Sequence, residues 1–457
     1  MSWRSALASI EAASGWSSDS DLRVEETPNL LSTALPISDM ATAAYGALAL
    51  AADQHHRSRG GKTTQPFVDR AHAGLAMAGN EYLTVDGAPP ASWDPLTGYY
   101  KCGDDKFIYL HMNFPHHRDG ALSVLGAAPD RDAVAAALMG FSAEQAEDAL
   151  QTAGLCGMMQ RSRPEWEAHP QQAALAAQPV VRIAQNGDSA RQPGPAGPLP
   201  LSGVRVLDLT RVIAGPMAGR ALAELGAEVI RISAPDLPHI PALVIDTGFG
   251  KRAAYADLTT VDGCETLGAL IAEADILIDG FRPSALAAKG FGADALAEMN
   301  PALTVVTISA FSDVGPWAGR RGYDSYVQGG VGLTTPETPG DRPVRLPCQP
   351  LDYLTGCLSA FGAVASLTMG GGKLVEMSLA RTAMWVWEMS DALPSDTPAE
   401  HNPSLEEAAE MGLLRRVSGP QGAISALAPP YGFGDRRALW SGPPPILGAD
   451  PPEWLAD

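Results

Sequence analysis

From residue 204 onward the sequence alternates short apolar runs with longer amphipathic ones, and this alternation constrains the fold more than any other feature. "VRVLDLT" (204–210), "AEVIRIS" (227–233), "DILIDGF" (275–281) and "LTVVTIS" (303–309) have the length and β-branched content of buried strands. "PMAGRALAELG" (216–226) and "VDGCETLGALIAEA" (261–274) have helical spacing, the first with Pro at its start and Gly at its end. Strands separated by helices of this length imply right-handed βαβ crossovers, hence a Rossmann-like parallel sheet of the α/β class.

The chain before residue 188 reads differently. Residues 39–52 predict a buried helix, 66–80 another, and 99–114 a β-hairpin around a Gly-Asp turn. Helices are expected near 116–125 and 130–153, with a short Pro-bounded helix inside 162–179. Together these make a second, smaller α+β domain. The Pro-, Gly- and Ser-rich stretch 188–203 reads as a linker. Residues 1–30 predict a short helix and a tail lying over the body; the proline- and acid-dense residues 391–457 predict an extended strap. The expected division is therefore 1–30, 31–187, 188–203, 204–390 and 391–457.

There is also an internal repeat. "LPISDMATAAYGALAL…RGGKTTQPFVDRAHAGLAM" echoes "LPCQPLDYLTGCLSAFGAVASLTMGGGKLVEMSLARTAMWV". In both, proline precedes an acid and an apolar helix, and a Gly-Gly-Lys turn, a short strand and a second helix follow. The acids are Asp39 and Asp352. Asp352 falls at or next to the start of a helix whose apolar positions recur at Cys357, Leu358, Phe361 and Val364. A capping role explains such a residue by itself. The positive end of a helix favours the ionised carboxylate, and an ionised carboxylate at the rim of an apolar pocket is also a competent nucleophile.

The turn "TRVIAGP" after the first strand lacks GxGxxG, so it does not carry the dinucleotide fingerprint, but its backbone N–H groups suit an anionic ligand. Arg211, Arg231, Lys251, Arg252, Arg282, Lys289, Arg320 and Arg321 fall near predicted strand ends, which suggests a phosphate-bearing ligand at the sheet's C-terminal edge. The overall charge of −20 argues against nucleic acid, which needs a basic stripe. No apolar run is long enough to span a bilayer, so no membrane partner is expected. The five cysteines show no CxxC spacing and predict neither zinc nor disulfides, which fits a cytoplasmic setting. His116 and His117 of "HMNFPHHR" would point apart on a helix, and no metal is expected there.

"PLSGVRVLDLTRVIAGPMAGRALAELGAEVIRI", "GKRAAYADLTTVDGCETLGALIAEADILIDGFRPSALAAKGFG" and "SAFSDVGPWAGRRGYDSYVQGGVGL" resemble the class III CoA-transferases, the CaiB/BaiF or formyl-CoA transferase family. The resemblance is nearly continuous over 199–385, and 31–185 is similar to the later part of the same family, as in a rearranged fusion of two partial copies. It implies a CoA-transferase family III type of fold. It also implies transfer of coenzyme A from an acyl-CoA to a small carboxylic acid through an aspartyl mixed anhydride and an aspartyl-CoA thioester. The family's aspartate falls on Asp352, and on Asp39 in the other copy. Its CoA-binding segments fall on Arg211, Val212, Ile213 and Ala214, on Lys251 and Arg252, and on Phe281 and Arg282. Ala234 and Gly280 stand where a basic residue and an asparagine are common. The alternatives are a catalytically inactive CoA-binding partner subunit, or an α-methylacyl-CoA racemase. The latter is disfavoured by Tyr323, which stands where that enzyme's histidine is expected and whose ordinary pKa near ~10 makes a poor base. The resemblance further implies an intertwined homodimer, or one chain supplying what two normally do.

Overall fold

The computed structural model describes residues 2–62, 64–187, 194–334, 340–395 and 397–455. Residues 188–193 of the expected linker lie outside the described residues, as do 335–339 of the expected Rossmann-like copy and, in the expected strap, 396, 456 and 457. A seven-stranded sheet organises the molecule. Its strands are β1 (Arg182–Gln185), β2 (Arg205–Asp208), β3 (Glu228–Ser233), β4 (Arg252–Tyr255), β5 (Ile276–Asp279), β6 (Thr304–Ser309) and β7 (Lys373–Ser378). They lie in the order β4-β3-β2-β5-β6-β7-β1, and all neighbours are parallel except β7 and β1. The chain moves outward from β2 to β4 and then returns to place β5 on the other side of β2. The crevice between β2 and β5 is therefore a topological switch point, where loops diverge and a ligand can enter.

Five helices carry the rest of the framework: α1 (Ser2–Ser14), α2 (Ile37–Ser58), α3 (Ala214–Glu224), α4 (Pro350–Thr368) and α5 (Leu379–Ala392). The repeated helices α2 and α4 pack along one another. Both are buried almost all round, and small side chains permit this: Ala41, Ala44, Ala47 and Ala51 on α2, Ala360, Ala363 and Gly356 on α4. One continuous apolar core runs from Ala6 of α1 to Ala438, with members from both partial copies. Helix α4 also packs on α3, and Gly356 sets that approach. A Cβ there would lie 2.5 Å from the carbonyl oxygen of Ala214 and 2.8 Å from Met217 Cβ. Four residues upstream on the same face of α4 sits Asp352.

The smaller α+β unit has its own core, centred on Tyr100, Ile108, Leu122, Val134 and Leu150. The expected hairpin is present as Gly98–Lys101 paired with Phe107–Leu110, and Gly157–Met159 adds a third strand. The expected helix over 130–153 is two helices, Arg131–Leu138 and Ala143–Thr152; Ser142 starts the second with a reciprocal cap from Gln145. The helix expected over 66–80 is instead a strand, Pro66–Asp69, followed by a helix, Arg70–Ala76, because Asp69 caps the latter by accepting from His72 N–H. The C-terminal segment departs most from its expected extended form. It contains a helix (Leu405–Glu410) and a hairpin (Leu414–Gly419 with Gly422–Leu427), and the hairpin pairs with Thr84–Val85. Only its last stretch is strap-like. There Trp440 stacks on Phe249 at 3.9 Å, and Asp450 exchanges bonds with Ala253 across the edge of β4. None of the helices, among the described residues, is long and apolar enough to cross a membrane.

The tight α3–α4 contact generates a prediction whose sign opposes helix propensity. Alanine is favoured over glycine in a helix interior by about 1 kcal/mol, yet Gly356→Ala should destabilise the protein by about 1–3 kcal/mol through overpacking. Urea unfolding measures this, and an unchanged or higher midpoint would refute the account.

Candidate active site

The site begins at the C-terminal end of β2. Asp208 is fully buried; its carboxylate accepts from Thr210 N–H at 2.9 Å, from Thr210 Oγ1 at 2.5 Å and from Lys251 Nζ at 2.7 Å. Lys251 Nζ also donates to the Pro216 carbonyl at 2.6 Å, in the first turn of α3. Lysine, acid and backbone together brace the turn that runs from Thr210 to Gly215. Burial, only partly offset by Asp208, pulls the Lys251 ammonium down to about 8. Lys251, expected to bind coenzyme A, has its ammonium paired inside the fold and does not line the switch-point cavity. Arg252, also expected to bind coenzyme A, lies on edge strand β4 and pairs with Glu228 at 3.1 Å and Asp450 at 3.7 Å. Within the braced turn, Val212 has φ of 73°, a conformation that costs a β-branched residue about 1–3 kcal/mol and is seen at functional sites.

A cavity of about 340 Å³ opens at the switch point. It is lined by Arg211, Val212, Ile213 and Ala214 from the turn after β2, by Phe281 and Arg282 from the turn after β5, and by Asp352 from α4. The structure therefore brings seven of the ten sequence-predicted site residues together. Arg320 and Arg321 join them, giving four guanidinium groups around one cavity in a chain of net charge −20. Arg320 is tied to Glu147 at 3.2 Å, and Arg211 donates to the Pro238 carbonyl at 3.2 Å, while Arg321 Nε is buried without a partner among the described residues. His116 and His117, weighed in sequence only as metal ligands, instead line this cavity.

Asp352 is not the helix cap. Gln349 holds that position, Pro350 opens the helix, and Asp352 follows in its first turn with no side-chain hydrogen bond among the described residues. It is 5% exposed. Burial first, and then the neighbouring Asp324, push its carboxyl well above the ordinary range. The expected ionisation by the helix end is therefore overridden by burial. Asp324 is buried as well. One of its oxygens accepts from the Asp352 backbone N–H at 2.8 Å and the other from Gln328 Nε2, and burial raises it to about 7 against those bonds. Two buried carboxyls this near one another cannot both ionise easily. Tyr323 stacks on His111 at 3.8 Å; burial raises its hydroxyl further, away from use as a base. Sequence reasoning missed Asp324, although it sits in the quoted "GYDSYV".

Asp39 occupies the matching place in the first turn of α2, but its surroundings differ. Arg70 Nε binds it at 2.8 Å, and Ser2 of α1 donates its hydroxyl to the other oxygen. It lines none of the cavities around Asp352.

A family model described as CoA-transferase family III matches residues 7–192 and 201–411. A succinate–glutarate CoA-transferase of Agrobacterium fabrum is 34% identical over 203 residues, covering 39% of this chain and 51% of the relative. A probable fatty acyl-CoA transferase of Mycobacterium tuberculosis, Rv3272, is 36% identical over 182 residues, covering 37% and 46%. The chain spans about half the length of these curated relatives. An orthorhombic crystal structure of Rv3272 aligns with a TM-score of 0.48 at 23% identity, over 55% of this chain and 97% of that one.

The raised Asp352 carboxyl predicts a pH signature. The folded state keeps the proton at pH values where the unfolded chain, ionising near ~3.9, has lost it. Stability therefore falls as pH rises through that window. Asparagine cannot ionise, so Asp352→Asn should melt higher than the parent at pH 8, with the difference shrinking towards pH 4. A difference independent of pH would contradict the assignment.

Proposed function

This chain belongs to CoA-transferase family III, and from that premise we propose that it is an acyl-CoA:carboxylate CoA-transferase with Asp352 as nucleophile. The observation that carries the reading is that Asp352 is an unpartnered, buried carboxyl on the wall of an arginine-lined cavity at the sheet's switch point. The cavity's chemistry suits coenzyme A. Arg211, Arg282, Arg320 and Arg321 would meet its phosphates by charge-assisted bonds, and the turn Arg211–Ala214 together with Phe281 would flank the pantetheine arm.

The steps balance as follows. A carboxylate oxygen of Asp352 attacks the thioester carbonyl, and the C–S bond breaks to release CoA thiolate and leave a mixed anhydride. The thiolate attacks the aspartyl carbonyl, expelling the donor acid and leaving an aspartyl-CoA thioester. The acceptor carboxylate attacks that thioester, giving a second anhydride and thiolate. The thiolate then attacks the acceptor's acyl carbon, and Asp352 is restored. Burial and the neighbouring Asp324 hold a proton on Asp352 in the free protein, so that proton leaves to solvent as the acyl-CoA binds and the carboxylate is freed before the attack. Residues 114–117 of the small unit and 209–379 of the sheet unit line one cavity, which supports a site completed within one chain.

Hydroxylamine added during turnover of a verified donor should convert Asp352 to a hydroxamate detectable by peptide mass spectrometry, and Asp352→Asn should lower kcat on the order of a thousandfold or more. Retained turnover in that variant would end the proposal. Arg282→Ala should raise KM for the acyl-CoA by about tenfold or more, the loss of one charge-assisted contact, with a smaller change in kcat.

A further inference from the structure

A second cavity, of about 330 Å³, is almost as large as the first and shares Phe281, Pro283, Ile308 and Ser309 with it as a common wall. Its floor is the face of β5, β6 and β7 turned away from α4. Val306 and Val375 enter the core that holds α4, so Val305, Thr307, Leu374 and Glu376, which alternate with them, face the other way. Leu286, Phe291 and Leu296, all buried, add an apolar wall. A space of this size is that of a small-molecule site, and no step of the proposed transfer uses it.

The charges on the wall select what it would hold. Asp279, Thr307, Glu376 and Arg182 are neighbours in register across β5, β6, β7 and β1. Glu376 and Arg182 bind one another. Arg381 donates to the Gln178 carbonyl at 2.7 Å and pairs with Glu388 at 3.0 Å. Arg182 and Arg381 are thus both engaged by protein groups. Asp279 is not matched: among the described residues its carboxylate accepts only the Phe281 N–H, at 2.8 Å. The Thr307 hydroxyl beside it makes no hydrogen bond among the described residues, and both residues are half-buried rather than sealed. Asp313 adds a further acid at the exposed rim. Burial, opposed by the Phe281 N–H, raises Asp279 to about 6, so it is largely ionised at neutral pH. A carboxylic acid or a phosphate would meet like charge here, whereas a cation meets an unpaired carboxylate.

We propose that this cavity binds a small organic cation, its ammonium on Asp279 and Thr307 and its apolar body against Leu286, Phe291 and Leu296, and that the bound cation strengthens ligand binding in the first cavity. The second clause rests on the coenzyme A reading of that first cavity; the first clause does not. The coupling path is short. Asp279 holds the N–H of Phe281, which with Arg282 lines the first cavity. The Asp279 carboxylate opposes the phosphates of coenzyme A, and an ammonium seated on it cancels that opposition.

The test is titration calorimetry on the full chain, with phenethylamine and hexylamine as probes and hydrocinnamate as an anion of matching shape. At least one amine should bind about tenfold or more tighter than the anion, the effect of one charge-assisted contact. Asp279→Asn keeps an oxygen for the Phe281 N–H and should weaken that amine by about tenfold or more. Thr307→Val should weaken it less, with circular dichroism reporting the fold of both variants. In the parent, saturating amine should lower the Kd of coenzyme A about fivefold, and coenzyme A should lower the amine's Kd by the same factor. Asp279→Asn should tighten coenzyme A with no amine present. Failure of both amines to bind, an anion that binds as tightly, or amine binding indifferent to Asp279→Asn overturns the site. An unchanged Kd for coenzyme A overturns the coupling. Amine binding to a chain that binds no coenzyme A removes the transferase reading and leaves the site standing.

Discussion

The position of the Asp352 carboxyl depends on one close contact between backbones. Helix α4 touches the first turn of α3 where Gly356 meets the Ala214 carbonyl, and no side chain larger than hydrogen fits between them. That turn is in turn fixed from beneath by Asp208, through Thr210 and through Lys251 to the Pro216 carbonyl. The Asp352 carboxyl and the cavity-lining turn are therefore not independent parts. They are two surfaces of one rigid joint built on the C-terminal end of β2. Rigid support of this kind is what the proposed nucleophile needs if it is to meet a carbonyl carbon without searching for it.

The electrostatics of the joint are local and oppose the charge of the whole. The chain carries an excess of acid, yet four arginines surround the large cavity while a lysine and an acid cancel one another beneath it. The neighbouring Asp324 charge raises the Asp352 carboxyl beyond what its burial alone does. Buried charge is tolerated in a native fold when a partner or a function keeps it there. Here the lysine has its partner in Asp208, and the Asp352 carboxyl lacks one.

Much of this was legible in sequence, for reasons that can be named. The strand–helix alternation after residue 204 gave the sheet because its two periodicities are distinct and its turns are short. The repeat around Asp39 and Asp352 marked the right helices because both acids follow proline and precede an apolar run. What separates the two acids was not legible, since it depends on Ser2 and Arg70, one from an N-terminal helix and the other from a helix 31 residues on. The pairing of Lys251 was hidden for a similar reason: its partner lies 43 residues away, and sequence shows a cation near a strand end without showing where its ammonium goes. The C-terminal hairpin was hidden because Pro-dense flanks surround it and its third strand is Thr84–Val85, far earlier in the chain. Asp324 was passed over because the tyrosine beside it drew the comparison.

The cage around Asp39 has a bearing on how the duplicated unit is used. An acid held by a guanidinium and a hydroxyl is committed to anchoring α1 against α2, so the earlier repeat has become joinery. On the proposed reading, with Asp352 as nucleophile, two copies of the motif yield a single working centre per polypeptide, and a titration of reactive equivalents against chain concentration would plateau at unity, half of what the repeat alone would suggest.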